Sequence, residues 1–274
     1  MSFSIQNNIT ALQTANNLNT TSNQLSSVME QLSSGYRING AADDAAGFAI
    51  STKLQAQVSG LNQANQNAQD GVSVLQTASG ALAQTSSILQ NIRSLTVEAG
   101  NGTLSTSDAS DIQTEVNSLL SEIDRLSGAT EFNNQTLISG SLASSAMTLQ
   151  IGANANQTIS FTIMQADSNS LGVSGISVTS NASAAVALAS IDAAIDTVDT
   201  QQAALGAMQN RLQYTIANLS TESQNLQQSE STIKDVNVAS ATVQLTQLQI
   251  LEQAGVAAQA QANAAPQMLL KLLG

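Results

Sequence analysis

The sequence predicts a mainly α protein, a long coiled-coil helical bundle with paired N- and C-terminal helices and a small β-hairpin region. Three observations carry this. Apolar residues recur in steps of three and four over long stretches, the spacing of one helical face. Aromatic residues make up only 2% of a chain that is 42% hydrophobic, so the interior must be built from Ala, Leu, Ile and Val, which suit narrow helix seams. Pro266 is the only proline, so the commonest helix breaker is missing from almost the whole length.

Taken in order, Ile5, Ile9 and Leu12 lead into Leu18, Leu25, Met29 and Leu32, a loose stripe in a segment with no charge before Glu30. Val74, Ala78, Ala81, Thr85, Ile88, Ile92, Leu95 and Ala99 form a second, tighter stripe. In AGNGTLSTSDAS, from Ala99 to Ser110, Gly100 and Gly102 can end that helix, and Ser107 or Asp108 can cap the next. Ile112, Val116, Leu119, Ile123 and Leu126 stripe a third helix, which SGATEFNN closes. The period then changes to two. Leu149 and Ile151, and then Ile159, Phe161 and Ile163, alternate with polar residues, so 147–164 reads as a hairpin, with a further strand at Gly175 to Thr179. Leu188, Ile191, Ile195, Val198, Gln202, Leu205, Gln209, Leu212, Ile216, Leu219, Ser223 and Leu226 form the longest seam. Its two glutamines either fix register or lie where the seam widens. Val238, Ala241, Leu245, Leu248 and Leu251 continue toward the C-terminus.

The formal net charge is -12, yet after Glu252 only Lys271 is charged. Both ends are therefore expected to leave water. Polar residues interrupt every apolar run, so neither end offers the roughly 18 consecutive apolar residues that a membrane span needs. Helices of this kind are marginal alone and should order when packed. Pairing the two ends of one chain would still leave uncharged outer faces uncovered.

Composition also excludes chemistry. The chain has no Cys, His or Trp. Disulfides, the usual zinc, copper and haem ligand sets, and a serine hydrolase with a histidine base are all unavailable, and no cofactor is expected. Seven cations against 19 acids argue against nucleic acid. The start lacks the basic region and cleavage site of a Sec signal. Asp43 and Asp44 are neighbours that do not share a helical face, so capping or a subunit contact outweighs an acid-base pair. Arg37, Arg93 and Arg125 are expected in structural ion pairs.

Residues 32–51, LSSGYRINGAADDAAGFAIS, resemble the signature segment of bacterial flagellins. NNLNTTSNQLSSVMEQLSSG, NAQDGVSVL, EIDRLSGATEFN and the C-terminal AQANAAPQMLLKLL match in the family's order, over roughly the first 140 and the last 90 residues. The short middle is similar to that of flagellins lacking large outer domains. The resemblance implies a non-enzymatic structural subunit that polymerises helically into the bacterial flagellar filament for swimming motility. Residues 1–40 plus 235–274 would form an inner tube of terminal helices. Residues 41–140 plus 181–234 would form a coiled-coil outer tube carrying a small β-hairpin region at 141–180. Self-assembly would rest on Ile5, Ile9, Leu12, Leu18, Leu25, Leu32, Leu245, Leu248, Leu251, Met268, Leu269 and Leu272. The implied partners are other flagellin subunits, hook-associated junction and cap proteins, and the flagellar type III export apparatus with a chaperone; neither nucleic acid nor membrane is among them. The implied location is the secreted, extracellular filament. The hook-filament junction protein, similar at both ends, is the alternative. In many flagellins a Toll-like receptor reads a patch that corresponds here to Gln90, Asn91, Arg93, Leu95 and Glu115. Asn91 stands where strongly recognised relatives usually carry arginine, which implies weak activation.

Overall fold

The computed structural model describes residues 7–273, with side chains as far as Ala264. The order is α1 (Ile9–Ser34), α2 (Ala45–Ala99), α3 (Thr106–Ala129), β1 (Glu131–Phe132), β2 (Gln135–Thr136), α4 (Ser141–Ser144), β3 (Met147–Gln150), β4 (Thr158–Phe161), α5 (Asn181–Lys234) and α6 (Val238–Leu273). The chain divides into two compact units, 57–224 and the combination of 1–56 with 225–274; α2 and α5 contribute to both.

The 57–224 unit is a packed bundle. Its core joins Leu75, Leu82, Leu89 and Ile92 of α2, Val116 and Ile123 of α3, and Ile191, Val198 and Leu205 of α5. The α2 stripe is wider than the sequence suggests. Leu89 and Thr96 are buried where Ile88 and Leu95 were expected, and those two are half-buried. Buried hydroxyls cost stability if left unpaired, and here each finds a helix carbonyl: Thr85 Oγ1 donates to Ala81 O at 3.1 Å and Thr96 Oγ1 to Ile92 O at 2.7 Å. On α5 the inner face steps through Ala184, Ala187, Ile191, Ala194 and Val198, then every seventh residue through Leu205, Leu212 and Leu219. Gln202 and Gln209 fall between these on half-buried positions.

Three sequence expectations need correction in this unit. The cap of α3 is Ser105, in a capping box whose N3 carboxylate is Asp108; Ser107 and Asp108 are not the cap itself. Ser105 wins because its Oγ accepts from Asp108 N at 3.3 Å while Asp108 Oδ2 accepts from Ser105 N at 3.1 Å. SGATEFNN, expected only to close α3, instead enters a hairpin of two-residue strands, Glu131–Phe132 with Gln135–Thr136, whose turn places Asn133 and Asn134 at φ 48 and 65. No strand forms at 175–179. Gly175 turns in the left-handed region at φ 71, and the residues after it are held to α3, where one side chain serves both backbone directions. Gln113 Nε2 donates to Ile176 O at 3.0 Å, and Gln113 Oε1 accepts from Val178 N at 2.7 Å.

The main hairpin forms as the alternation predicts, with Leu149 opposite Ile159 and Met147 opposite Phe161. Ile159 and Phe161 are buried, while Thr158 and Ser160 are exposed. Gly71, inside α2, is where the hairpin comes close: a Cβ there would lie 2.2 Å from Leu149 Cδ1. Asn67 Nδ2 donates to Gln150 O at 2.9 Å beside it. Further along, Asp124 of α3 accepts from Ser168 N and Oγ at 2.8 and 3.0 Å, holding the 164–171 loop to the bundle. Within that loop, partial burial pushes the Asp167 carboxyl up, but hydrogen bonds from Ser170 and Gln165 outweigh it and hold the group below its usual range.

Candidate functional site

The other unit, 1–56 with 225–274, is built around two helix breaks. Gly35 ends α1 in the left-handed region at φ 77, a conformation that glycine adopts without penalty. Tyr36 then bridges Asp235, with Arg37 N donating to Lys234 O at 2.7 Å and Val236 N to Gly35 O at 2.9 Å. Lys234 Nζ lies 4.5 Å from the Tyr36 ring centroid. Arg37 was expected in an ion pair; instead its Nη2 donates to Ile233 O at 2.6 Å, satisfying a carbonyl in the last turn of α5. Asp43 Oδ2 accepts from Asn39 N and Gly40 N, while Asp44 Oδ1 accepts from Gly47 N at 2.9 Å and caps α2. The adjacent carboxylates are thus bound to backbone amides.

α1 and α6 pair antiparallel. At one end Asn8 caps α1 through Ala11 N and donates its Nδ2 to Ala262 O at 2.8 Å. Farther along, a Cβ at Gly255 would sit 3.1 Å from Leu18 Cδ1, so the helices approach closely there. The seam is regular. Ala11 is buried and Leu18, Leu25 and Leu32 half-buried at intervals of seven; on α6, Ala241 is buried and Leu245, Leu248, Glu252 and Gly255 half-buried in steps of four and three. Two grooves open between the helices. One of about 440 Å³ is lined by Gln24, Val28 and Gln31 facing Gln244, Gln247 and Leu251; the other, about 310 Å³, lies between Thr14, Leu18 and Thr21 and Leu251, Gly255 and Ala258.

The expected assembly residues therefore separate into two sets. Leu18, Leu25, Leu32, Leu245 and Leu248 face the seam inside one chain. Ile9 and Leu12 point outward, with 68% and 64% of their surface open, whereas Leu251 borders both grooves with 48% open. Ile5 lies outside the described residues; Met268, Leu269 and Leu272 belong to α6, but their side chains lie outside the described ones. Met29 and Val238 stood in the stripes but not among the expected assembly residues, and stripe reasoning missed Val243, Ile250 and Val256; all five are more than half exposed. Their signal was the lack of charge, since they lie off the seam on helices whose charges are Glu30 in α1 and Glu252 and Lys271 in α6. Off the seam, these side chains leave apolar surface open on both helices.

The receptor-like patch lies in the 57–224 unit. Gln90, Asn91 and Arg93 are exposed on α2, Leu95 is half-buried, and Glu115 is exposed on α3. Arg93 Nε donates to Asp192 Oδ1 at 2.6 Å, as an ion-pair role requires, and this hydrogen bond raises the already high guanidinium pKa. Arg125 pairs with Glu122 in a bidentate contact at 2.6 and 2.8 Å, which holds the Glu122 carboxyl below its usual range. Among the described residues no group of three or more His, Cys, Asp or Glu side chains could hold a metal ion, and no helix is long and apolar enough to cross a membrane.

Comparison with known proteins adds an independent line. Residues 5–143 match the family model for the bacterial flagellin N-terminal helical region, and residues 188–273 match that for the bacterial flagellin C-terminal helical region. The chain is 41% identical over 271 residues to flagellin of Halalkalibacterium halodurans, covering 98% of this chain and 99% of that one. It is 43% identical over 301 aligned positions to flagellin of Bacillus subtilis, with the same coverage of 98% and 99%. A crystal structure of Bacillus cereus flagellin superposes with a TM-score of 0.50 at 28% identity, over 56% of this chain and 88% of that one.

Proposed function

The chain belongs to the bacterial flagellin family and is a structural subunit of the flagellar filament, polymerising with other flagellin subunits; from that premise we propose that assembly rests on the outward faces of α1 and α6. The observation that carries this is the exposure of Ile9, Leu12, Val243, Ile250 and Leu251 on helices that are paired yet almost without charge. At roughly 25 cal/mol per Å² of apolar area, covering a few hundred Å² per contact stabilises a polymer substantially before ordering costs. A contact between two different patches that does not close generates an open helix. Ile5, Met268, Leu269 and Leu272 are assigned to assembly in this reading from the family resemblance of the sequence alone. The terminal helices form the inner tube of the filament, and the 57–224 bundle contributes to the outer one. No catalytic step is part of this role. Nothing in the comparisons favours the junction protein over the filament subunit.

Secretion through the flagellar export apparatus, with a chaperone on the C-terminal helix, and contacts with hook-associated junction and cap proteins complete the proposal. An extracellular filament is the resulting location. Weak receptor activation follows from Asn91, and Asn91→Arg should raise signalling by monomer; no gain would count against that account. The assembly reading is tested by electron microscopy after seeding, on the full chain beside a truncation lacking residues 1–30 and 253–274. Filaments from the full chain alone are expected. Filaments from both would remove assembly from the ends, and filaments from neither would bring the junction role forward.

A further inference from the structure

The 57–224 unit holds most of the chain's 19 acids and three of its cations, Arg93, Arg125 and Arg211. Two are committed within the chain, Arg93 to Asp192 and Arg125 to Glu122. The Arg211 guanidinium has no ion pair or hydrogen bond among the described residues; only the backbone carbonyl is engaged by a side chain, accepting from Thr215 Oγ1 at 2.9 Å. Arg211 stands on α5 to one side of the buried line of Leu205, Leu212 and Leu219, one turn from Tyr214, whose exposure of 79% exceeds that of every other exposed large hydrophobic side chain among the described residues. Ala207, one turn before Arg211, leaves a small-residue floor on the open surface beside them. A free guanidinium and an open phenol ring flanking a small-residue floor suit a helix surface that carries carboxylates.

The same unit presents such a surface elsewhere. Asp108, Asp111 and Glu115 are exposed on α3 at i, i+3 and i+7, which places them on one face. Asp111 and Glu115 have no cation beside them among the described residues. In a polymer of acidic subunits, such a face repels its neighbours unless a cation meets it.

One chain cannot make this contact with itself. Asn181 Nδ2 donates to Gly100 O, so α5 begins where α2 ends, and the loop leading to Ser105 starts α3 at that same end. α5 then runs back along α2, as the Arg93 to Asp192 and Asn62 to Ser223 contacts mark. Counted from that end, Arg211 lies about 20 residues farther along than Glu115, roughly 30 Å at 1.5 Å per residue. That is several times the reach of an arginine side chain.

We propose that the Arg211 and Tyr214 face of α5 receives the Asp111 and Glu115 face of α3 from a second copy, displaced along the helices by roughly 30 Å. This rests on the filament reading above, in which head-to-tail contacts join unlike patches. Because the chain has no cysteine, a pair of introduced thiols reports the contact without background. In filaments of the double variant Arg211→Cys with Glu115→Cys, mild oxidation should give a ladder of multimers on a non-reducing gel. Arg211→Glu should raise the critical concentration for polymerisation about tenfold, and Arg211→Glu with Glu115→Arg should return it to within about threefold of the unsubstituted value. Circular dichroism of the soluble variants should match the parent, because the substituted positions are exposed. A wild-type critical concentration for Arg211→Glu, or filaments of the thiol pair that give no ladder, would overturn the pairing and leave the filament reading standing. Absence of filaments from the unsubstituted chain would overturn both.

Discussion

In the 57–224 unit Leu75, Leu82, Leu89 and Ile92 are wholly buried on α2, whereas in the terminal unit Ile9, Leu12, Val243 and Ile250 keep about two-thirds of their surface open on α1 and α6. Both sets lie on long helices with three-and-four stripes, so periodicity alone does not separate them. The number of packing neighbours does. α2 is covered by α3, α5 and the β3–β4 hairpin, and its buried stripe is two residues wide at Val74 with Leu75 and at Ala81 with Leu82. α1 has α6 as its main partner, and one seam covers one face. Among the described residues Ala11, Ile38 and Ala241 are the apolar side chains of the terminal unit that are fully buried. One unit thus completes its core within a chain, and the other leaves apolar faces open, which the proposed assembly would cover with copies.

That contrast breaks most visibly with one substitution on each side. Leu89→Ala removes a fully buried side chain from the bundle and should cost about 2–5 kcal/mol, read as a lower melting temperature of the soluble monomer. Ile250→Glu changes a side chain that is 66% exposed; it should leave monomer melting within about 0.5 kcal/mol of the parent. Its effect belongs to assembly, where a charge placed in a buried apolar contact should raise the critical concentration by roughly a hundredfold. If Ile250→Glu lowered melting as far as Leu89→Ala does, the terminal unit would be closed within one chain and the distinction lost.

A smaller effect sharpens the account of the bundle. Glycine inside a helix costs about 1 kcal/mol relative to alanine, so Gly→Ala is stabilising wherever the Cβ has room. At Gly80 nothing lies within 4 Å of the added atom, and Gly80→Ala should stabilise by about 0.5–1 kcal/mol. At Gly71 the added Cβ would meet Leu149 Cδ1 at 2.2 Å and Leu212 Cδ1 at 3.3 Å. Gly71→Ala should therefore destabilise by about 1–3 kcal/mol, because the hairpin must move. Equal signs for the two, in thermal or denaturant unfolding, would mean that the hairpin seat is not shaped by Gly71.

Much of this was legible in the sequence, and the gaps have physical causes. Ile191, Val198, Leu205, Leu212 and Leu219 announced α5 because a large apolar residue at a regular interval has few other readings. Ala184, Ala187 and Ala194 did not announce themselves, since alanine is at home on either face of a helix; the structure buries them at the seam. Ser105, Ser107 and Asp108 were all chemically able to cap α3, and the choice fell to the pairing of two backbone amides with two side chains. The segment at 175–179 has a strand's pattern, but its hydrogen-bond partner is a side chain some 60 residues away, which no local pattern encodes. For the assembly surface, the missing charge at both ends was readable, whereas the division between seam and outer face was not. Leu248 and Ile250 look alike in sequence; only the position of α1 decides which turns inward.

The smallest predicted effect concerns acid. Asp167 accepts from Ser170 N at 2.9 Å and from Gln165 Nε2 at 3.1 Å, and these bonds favour its charged form over the cost of partial burial, so its folded pKa lies below the ordinary value. A carboxyl depressed on folding contributes stability that is present above its unfolded pKa and lost as pH falls through the folded one. The loop should therefore loosen only at the acidic end of the carboxylate range. The terminal faces, with Glu30, Glu252 and Lys271 as the charges of α1 and α6, offer little for protons to act on. Following the Ser170 amide by nuclear magnetic resonance through an acid titration of the monomer should show its shift moving below the usual carboxylate midpoint, and Asp167→Asn should abolish that step. A midpoint at or above the ordinary value would mean that burial outweighs the hydrogen bonds, and that this corner of the bundle is held by its apolar neighbours Ala166 and Leu171 rather than by the carboxylate.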